Sequence, residues 1–409
     1  MRAARRHLPV ASAGSPWRHS AGGEAGLLRQ GWKLHLSATI LSAGSLLRRV
    51  GPFLDADGAA YKGPVDLRFL DTLNAGLGDF SQIGKCLTVY CRDDTHLAHL
   101  APRLHQLTLG IPHPRVPFDR RYAPGSAVFY RYGAFDDRTM KARNGARVGA
   151  IVNPRGRLVR DRREPGEAVP SWVTDPLLPT AGSAEPPRTW SPLALDYRIF
   201  EVLRQRGRGG VFLALDLTRA PARLCIVKQG LRHGETDPDG HDGYWRMRHE
   251  ARVLRSLRRA GIPVPRVLAE FDVEDGRYLV LEHIAGSTLQ QLLGRRRRLP
   301  APRAADIARD LASVIQAIHD AGWAWRDCKP ENLVLTDAGS LRPIDFEGAW
   351  RHGLRPSGAW GTPRYSVPGA AAKGQFDPVG EDDYAMRVVL DELRDRTARL
   401  TRAPGKPIL

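Results

Sequence analysis

The sequence predicts an α+β fold in two successive parts, and three observations carry that expectation. A Pro- and Gly-rich stretch, residues 165–192, interrupts every helical or strand periodicity in the 409-residue chain. Before it, apolar strands alternate with amphipathic helices in an α/β pattern. After it come short strands, one helix, more strands and then a run of helices, the order of a two-lobed domain. The length suffices for two cores of ordinary size.

Residues 1–27 are basic and rich in Ala, Gly and Ser, with no apolar core or cleavage site, and are expected to form a disordered tail. The first domain then spans residues 28–164. Its strands include Trp32 to Ala38 and Leu87 to Cys91, and its helices Thr39 to Val50 and Thr95 to Leu109. The linker is 165–192 and the second domain 193–409. No apolar run approaches the length that spans a bilayer. Cys86, Cys91, Cys225 and Cys328 have no metal-ligand spacing, so reduced thiols and a cytoplasmic location are expected, without a membrane partner.

The net charge is +18, and arginine supplies 54 of the 62 basic residues. They are spread along the chain, and only Arg295 to Arg298 form a dense run, read as a solvated surface. No aromatic-interleaved basic patch supports nucleic-acid binding. Lysine is scarce, and Lys33, Lys62, Lys85, Lys228 and Lys329 all fall within motifs. Lysine can lose its proton in a suitable site and arginine effectively cannot.

The second domain carries the densest chemistry. Asp327 and Asn332 have the D-x-x-x-x-N spacing of a kinase catalytic loop, and Asp345 follows inside Ile-Asp-Phe. Asp327 can accept or orient the proton of an attacking hydroxyl. Asn332 and Asp345 offer oxygen ligands for Mg²⁺ against ATP phosphates, and Lys329 can reach a transferring phosphoryl group. Upstream, Gly207, Gly209 and Gly210 would let backbone amides approach phosphates. Lys228 ends an apolar run as the lysine of V-A-I-K does. Glu250 lies within the apolar stripe of a helix from Tyr244 to Leu257, where a carboxylate needs a partner, and Lys228 is the expected one.

Tyr278 to Ile284 reads as a strand leading to a hinge, with backbone groups of Glu282 and His283 facing adenine. Gly361-Thr362-Pro363 resembles the end of an activation segment, and Asp383 the aspartate that opens the next helix. Trp325 replaces the His of H-R-D, Glu347 the Gly of D-F-G, and Val367-Pro368-Gly369 the A-P-E. The chain ends soon after Asp383, so a shortened but active kinase is expected.

In the first domain, Lys33 and His35 share a strand face by the period of two. Lys62, Lys85, Arg120, Arg121 and Arg131 add further cations. Such a cluster suits β-elimination of phosphate: a lysine removes the α-proton, a second steadies the enolate-like charge, arginines hold phosphate, and histidine protonates the leaving oxygen.

The segments GWKLHLSAT, IGKCLTVY and RRYAPGSAVFYRYGAF, with DRREP and PSWVTDP, resemble the N-terminal lyase region of class III and class IV lanthionine synthetases. IDFEGA and the GIPVP turn of the second domain fit the same family. The Lys-x-His pair also resembles that of bacterial phosphothreonine lyases, which implies a phosphothreonine-lyase-like first domain. The resemblance implies a kinase that phosphorylates Ser or Thr of a precursor peptide and a lyase that eliminates the phosphate. By it, Lys33 and His35 polarise and protonate, Lys62 is the base, and Lys85, Arg121 and Arg131 bind phosphate. No late Cys/His cluster supplies a cyclase, so the chain is expected to dehydrate without cyclising, unless a separate cyclase closes the rings or the gene is truncated. The rival expectations are a plain Ser/Thr kinase with a substrate-binding first domain, and an inactive peptide-binding scaffold.

Overall fold

The computed structural model describes residues 6–11, 14–21, 28–164, 168–178, 195–294, 299–354, 358, 360–369 and 377–398. The chain divides into two compact units. The first holds residues 1–191 with 205–209 and 231–244, and the second holds the remainder.

The first unit is built on a seven-stranded sheet of order β1-β2-β4-β5-β3-β7-β6. Its strands are β1 (Val10–Ala11), β2 (Trp17–His19), β3 (Gln30–Leu36), β4 (Ala60–Pro64), β5 (Leu87–Tyr90), β6 (Arg120–Arg121) and β7 (Val128–Ala134). Every pairing in it is antiparallel. Alternation along β3 sends Trp32, Leu34 and Leu36 to one face, where they meet Val89 of β5 and Tyr130 of β7 in a closed apolar core. Helices α1 (Ala43–Asp57) and α3 (Asp94–Thr108) supply Leu46, Val50, Leu54, Leu97, Leu100 and Leu104 to it. Between them in sequence lies α2 (Leu67–Ala75), capped by Asp66, whose carboxylate accepts from the Phe69 amide. A three-stranded sheet of β8 (Thr139–Lys141), β9 (Arg147–Val152) and β10 (Leu158–Arg160) follows.

Three expectations for this unit are corrected. The segment 1–27 is not a disordered tail in its described part, because β2 pairs with β4 and Leu8 is buried in the core. Two- and three-residue strands leave no periodicity to read in a basic, Gly- and Ala-rich stretch. Residues 1–5, 12–13 and 22–27 lie outside the described residues. The domain also runs past 164. The amide of Tyr132 donates to the Ala168 carbonyl at 2.9 Å, and Val169, Val173 and Leu177 pack on the core. The rest of the expected linker, and Arg295 to Arg298, fall outside the described residues. Helix α1 begins at Ala43 because Thr39 and Ser42 first exchange side-chain hydrogen bonds in a turn. It continues through Pro52 because Leu54 beyond it is fully buried.

In the second unit a five-stranded sheet has the order β11-β12-β13-β15-β14. Its strands are β11 (Tyr197–Arg206), β12 (Gly209–Asp216), β13 (Arg223–Leu231), β14 (Val267–Val273) and β15 (Gly276–Glu282), with α4 (Gly243–Arg259) between β13 and β14 in sequence. The register sets Val211 opposite Lys228. Helices α5 (Leu289–Gly294), α6 (Ala301–Asp320) and α7 (Pro378–Ala398) follow. Ile307, Leu311 and Ile318 of α6 share one core with Leu254 and Leu257 of α4 and with Val389 and Leu393 of α7. Short strands and turns over 323–351 carry the catalytic loop across this core.

Candidate active sites

The second unit joins Lys228, Glu250 and Asp345 in one hydrogen-bonded set and Asp327, Lys329 and Asn332 in another. Lys228 Nζ donates to both carboxylate oxygens of Glu250, at 2.7 and 2.8 Å, and to Asp345 Oδ1 at 2.8 Å. Burial alone would strip the proton from Lys228, but Asp345 and Glu250 hold it charged, well above the usual lysine range. Glu250 also accepts from the Phe346 amide at 3.0 Å, so one buried carboxylate ties α4, β13 and the Ile-Asp-Phe segment together. Arg204 of β11, which the sequence reading missed, reaches Asp345 Oδ2 at 3.3 Å.

Asp327 faces Lys329 Nζ at 2.8 and 2.9 Å, and Asn332 Nδ2 donates to it at 2.7 Å. Burial and the Asp345 charge raise Asp327 to about 6, against the opposing pull of Lys329. Asn332 spends its amide nitrogen on Asp327. Asn332 and Asp345 carry oxygen donors of the hard type that Mg²⁺ takes. Lys329 also donates to Thr362 Oγ1 at 3.2 Å, which brings the expected end of the activation segment onto the catalytic loop. Arg326 and Asp345 have φ of 64° and 66°, unusual for side-chain-bearing residues and found where a site over-determines the backbone.

The departure at Trp325 has a physical account. Its indole N–H donates to the Asp345 carbonyl at 2.9 Å, and its ring stacks on Phe346 at 5.5 Å. The expected aspartate at the start of the next helix is Asp382, not Asp383. Asp382 is fully buried and accepts from the amides of Trp325 and Arg326 at 2.7 and 2.6 Å, whereas Asp383 is exposed. Adjacent acids cannot be told apart from spacing alone when only one faces the core. At the hinge, the Glu282 amide donates to the Arg266 carbonyl at 2.9 Å, so this amide is engaged within the protein. Within the first unit, the Gly207 amide donates to Ala75 O at 3.0 Å, which removes it from the phosphate-facing amides expected; Gly209 and Gly210 begin β12.

The first unit collects its cations on the sheet face opposite the α1 and α3 core. Cross-strand pairing sets Lys62, Thr88, His35, Phe129 and Arg121 in one row, and Tyr90, Lys33 and Arg131 in the next. Directly opposite residues in an antiparallel pair share a face, so register alone brings five of the six expected side chains together. Lys33 and Lys62 each stand 5.9 Å from the centroid of the Tyr90 ring, and Lys62 also lies 4.9 Å from that of Trp17.

Lys85 joins them through a residue the sequence reading passed over. Asp119, almost fully buried, hydrogen-bonds His35 Nδ1 and stands 3.6 Å from Lys85 Nζ and 3.9 Å from Arg131 Nε. It is placed by Phe118, whose φ of 65° turns the chain sharply inward. Burial would raise Asp119, but Lys85 and His35 hold it well below the usual carboxylate range. A second missed acid, Asp161, grips Arg131 Nη2 at 2.6 Å. Both acids open an Asp-Arg-Arg triplet, the one local signal that could have marked them.

Burial and then Arg131 lower Lys33 to about 7, and burial lowers Lys85 to about 8 despite Asp119. Burial and then Lys85 lower His35 to about 3. The result is a desolvated site in which two amines are brought toward neutrality and one imidazole is disfavoured in its charged form. Such a set can bind a dianion and move protons at its edge.

Residues 5–188 match the family described as RamC, N-terminal domain, and residues 200–398 match the protein kinase domain. The chain is similar to the probable SapB synthase of Streptomyces coelicolor, at 32% identity over 95% of this chain and 43% of that protein. It is also similar to the serine/threonine-protein kinase PknA of Mycobacterium tuberculosis, at 30% identity over 50% of this chain and 47% of that one. CBL-interacting protein kinase 29 of rice is 30% identical over 52% of each chain. The chain therefore spans less than half the length of the first two relatives.

Proposed function

Because the chain joins a RamC-type N-terminal domain to a protein kinase domain, we propose that it phosphorylates Ser or Thr of a precursor peptide and then eliminates the phosphate to leave a dehydroamino acid. The observation that carries this reading is the presence of two chemically distinct sites in one chain. One is a complete Lys228–Glu250–Asp345 and Asp327–Lys329–Asn332 set. The other is a desolvated cation row around Asp119.

In the transfer step ATP is the phosphoryl donor, its phosphates met by Lys228 and by amides of Gly209 and Gly210, its adenine by the hinge at Glu282 and His283. Mg²⁺, held by Asn332 and Asp345, would offset charge on the phosphates. Asp327 takes the proton of the attacking hydroxyl, and Lys329 steadies the moving phosphoryl group.

In the elimination step Lys85, Arg121 and Arg131 hold the phosphate. Lys62 takes the α-proton, and the freed electron pair forms the Cα=Cβ bond as the Cβ–O bond breaks. Protonated Lys33 steadies the enolate-like oxygen, and His35 gives its proton to the departing phosphate. In the free protein burial, and then Lys85 and Lys33, disfavour the charged form of His35. A phosphate dianion between those lysines offsets their share of that penalty and, with Asp119 behind the ring, favours the protonated form.

This makes phosphate binding proton-linked. Lys33 at about 7 and Lys85 at about 8 are charged below those values and lose charge above them. Affinity for a phosphoserine peptide is therefore full near pH 6. Above pH 8 it falls by about tenfold per pH unit for each proton that must be taken up. Titrations of a transfer-dead variant across this range check the slope, and flat affinity would rule out Lys85 as a phosphate ligand and Lys33 as a charged neighbour of the phosphate.

The direct test of the whole reading is product mass. With its true peptide and ATP, the protein should give a species one water lighter than the starting peptide. A plain Ser/Thr kinase stops at the heavier phosphopeptide, and only that product would remove the lyase assignment.

A further inference from the structure

We propose that the outer face of α4 is a docking surface for an acidic segment of a peptide, and this rests on the peptide-substrate reading above. Arg248, Arg252, Arg255 and Arg259 follow one another by four, three and four residues, so all four project from one face of the helix. All four are exposed. The opposite face carries Met247, Leu254 and Leu257 into the core, together with Glu250 and its bond to Lys228. The arginine face is concave. With Arg277 of β15 and Glu270 of β14, the four arginines line a cavity of about 280 Å³.

Five guanidinium groups and a single carboxylate surround that cavity. Glu270 serves both Arg255 and Arg277, the latter at 2.9 Å, and Asp272 takes a further bond from Arg277 at 3.0 Å. Arg248 with Arg252, and Arg255 with Arg259, are like-charge pairs one turn apart, an arrangement that weakens a helix unless an anion lies between them. Of the six arginines of α4, Arg246 is buried and Arg258 donates to the Val264 carbonyl at 3.1 Å, and the other four share the concave side.

The choice of occupant follows from the lining. Among the described residues no aromatic side chain lines the cavity to stack a base, which nucleic-acid surfaces use. Carboxylates of an extended or helical acidic peptide can be gripped singly by planar guanidinium forks, with Glu270 setting the spacing. A peptide seated there would also steady the helix that presents Glu250 to Lys228, so docking and phosphoryl transfer would be coupled through one rigid element.

The test uses the full chain and a short fluorescein-labelled peptide of alternating Glu and Ser, with its Gln-for-Glu counterpart and oligothymidylate as comparisons. The acidic peptide should bind, the Gln peptide should not, and affinity should fall steeply with salt. The double variant Arg252→Glu, Arg259→Glu should weaken binding by at least about tenfold, and Arg252→Gln, Arg259→Gln by less. Both should retain peptide-independent ATP hydrolysis, since these side chains face away from Glu250. Undiminished peptide binding in the reversed variant would overturn the proposal. So would preferential binding of oligothymidylate that the same variant abolishes, which would make the face a nucleic-acid surface. Because binding is read without turnover, a peptide that binds but is never dehydrated leaves this surface standing and removes only the dehydratase reading.

Discussion

Asp345→Ala should abolish phosphoryl transfer, by about a thousandfold or more, while leaving elimination from a synthetic phosphopeptide intact. Three links lead to this size of effect. Asp345 is the carboxylate of the oxygen pair that would hold Mg²⁺, and without the ion the phosphate charge is uncompensated. It is also a partner of Lys228 at 2.8 Å and of Arg204 at 3.3 Å, so its loss leaves cations unopposed where phosphates must be placed. Its backbone carbonyl anchors Trp325, and that bond survives the substitution, so the catalytic loop keeps its support. Phosphopeptide formation followed by mass spectrometry reads the first half, and phosphate release from a phosphoserine peptide reads the second. Loss of both activities would mean that the substitution disturbs folding or that the sites are not separate. Asp327→Ala gives an independent check, because it removes the proton acceptor without touching Lys228.

Asp119→Asn should slow elimination by about 10²- to 10⁴-fold and make phosphopeptide accumulate, with transfer unaffected. An amide keeps the shape and can still accept from His35 Nδ1. It removes the negative charge that favours the imidazolium form when phosphate leaves. The effect should exceed that of losing one phosphate ligand, because Asp119 faces His35, Lys85 and Arg131 together. A purely structural role would lower stability and both activities alike. The positioning role predicts instead an unchanged transfer rate and a shifted pH profile for elimination. Lys62→Ala and His35→Ala should likewise arrest the peptide at the phosphorylated stage.

The kinase half was legible because its chemistry is local. Asp327, Lys329 and Asn332 sit within one turn of chain, and their mutual hydrogen bonds follow from that spacing. Lys228 and Glu250 were found by a different logic, the cost of a carboxylate on an apolar helical stripe, and their 2.7 Å contact is the partner that cost required. The choice between Asp382 and Asp383 failed for a matching reason. Neighbours on a helix differ by their facing, which depends on what packs against the helix.

The two faces of β3 were likewise written in the sequence, since alternation alone put Lys33 and His35 on one side and Trp32, Leu34 and Leu36 on the other. What alternation cannot say is which strands lie beside β3. Lys62 joins His35 in one row only because β5 intervenes between β4 and β3, and Arg131 meets Lys33 only through the β3–β7 register. Asp119 was invisible for a further reason: it lies on a loop turned by a positive φ at Phe118, where no period applies. Residue types and local spacing thus determined which chemical groups this chain carries and on which side of each element they lie. Strand order, register and loop conformation decided which carboxylates counter which cations, because those contacts join residues far apart in sequence that only the folded core brings into one low-dielectric space.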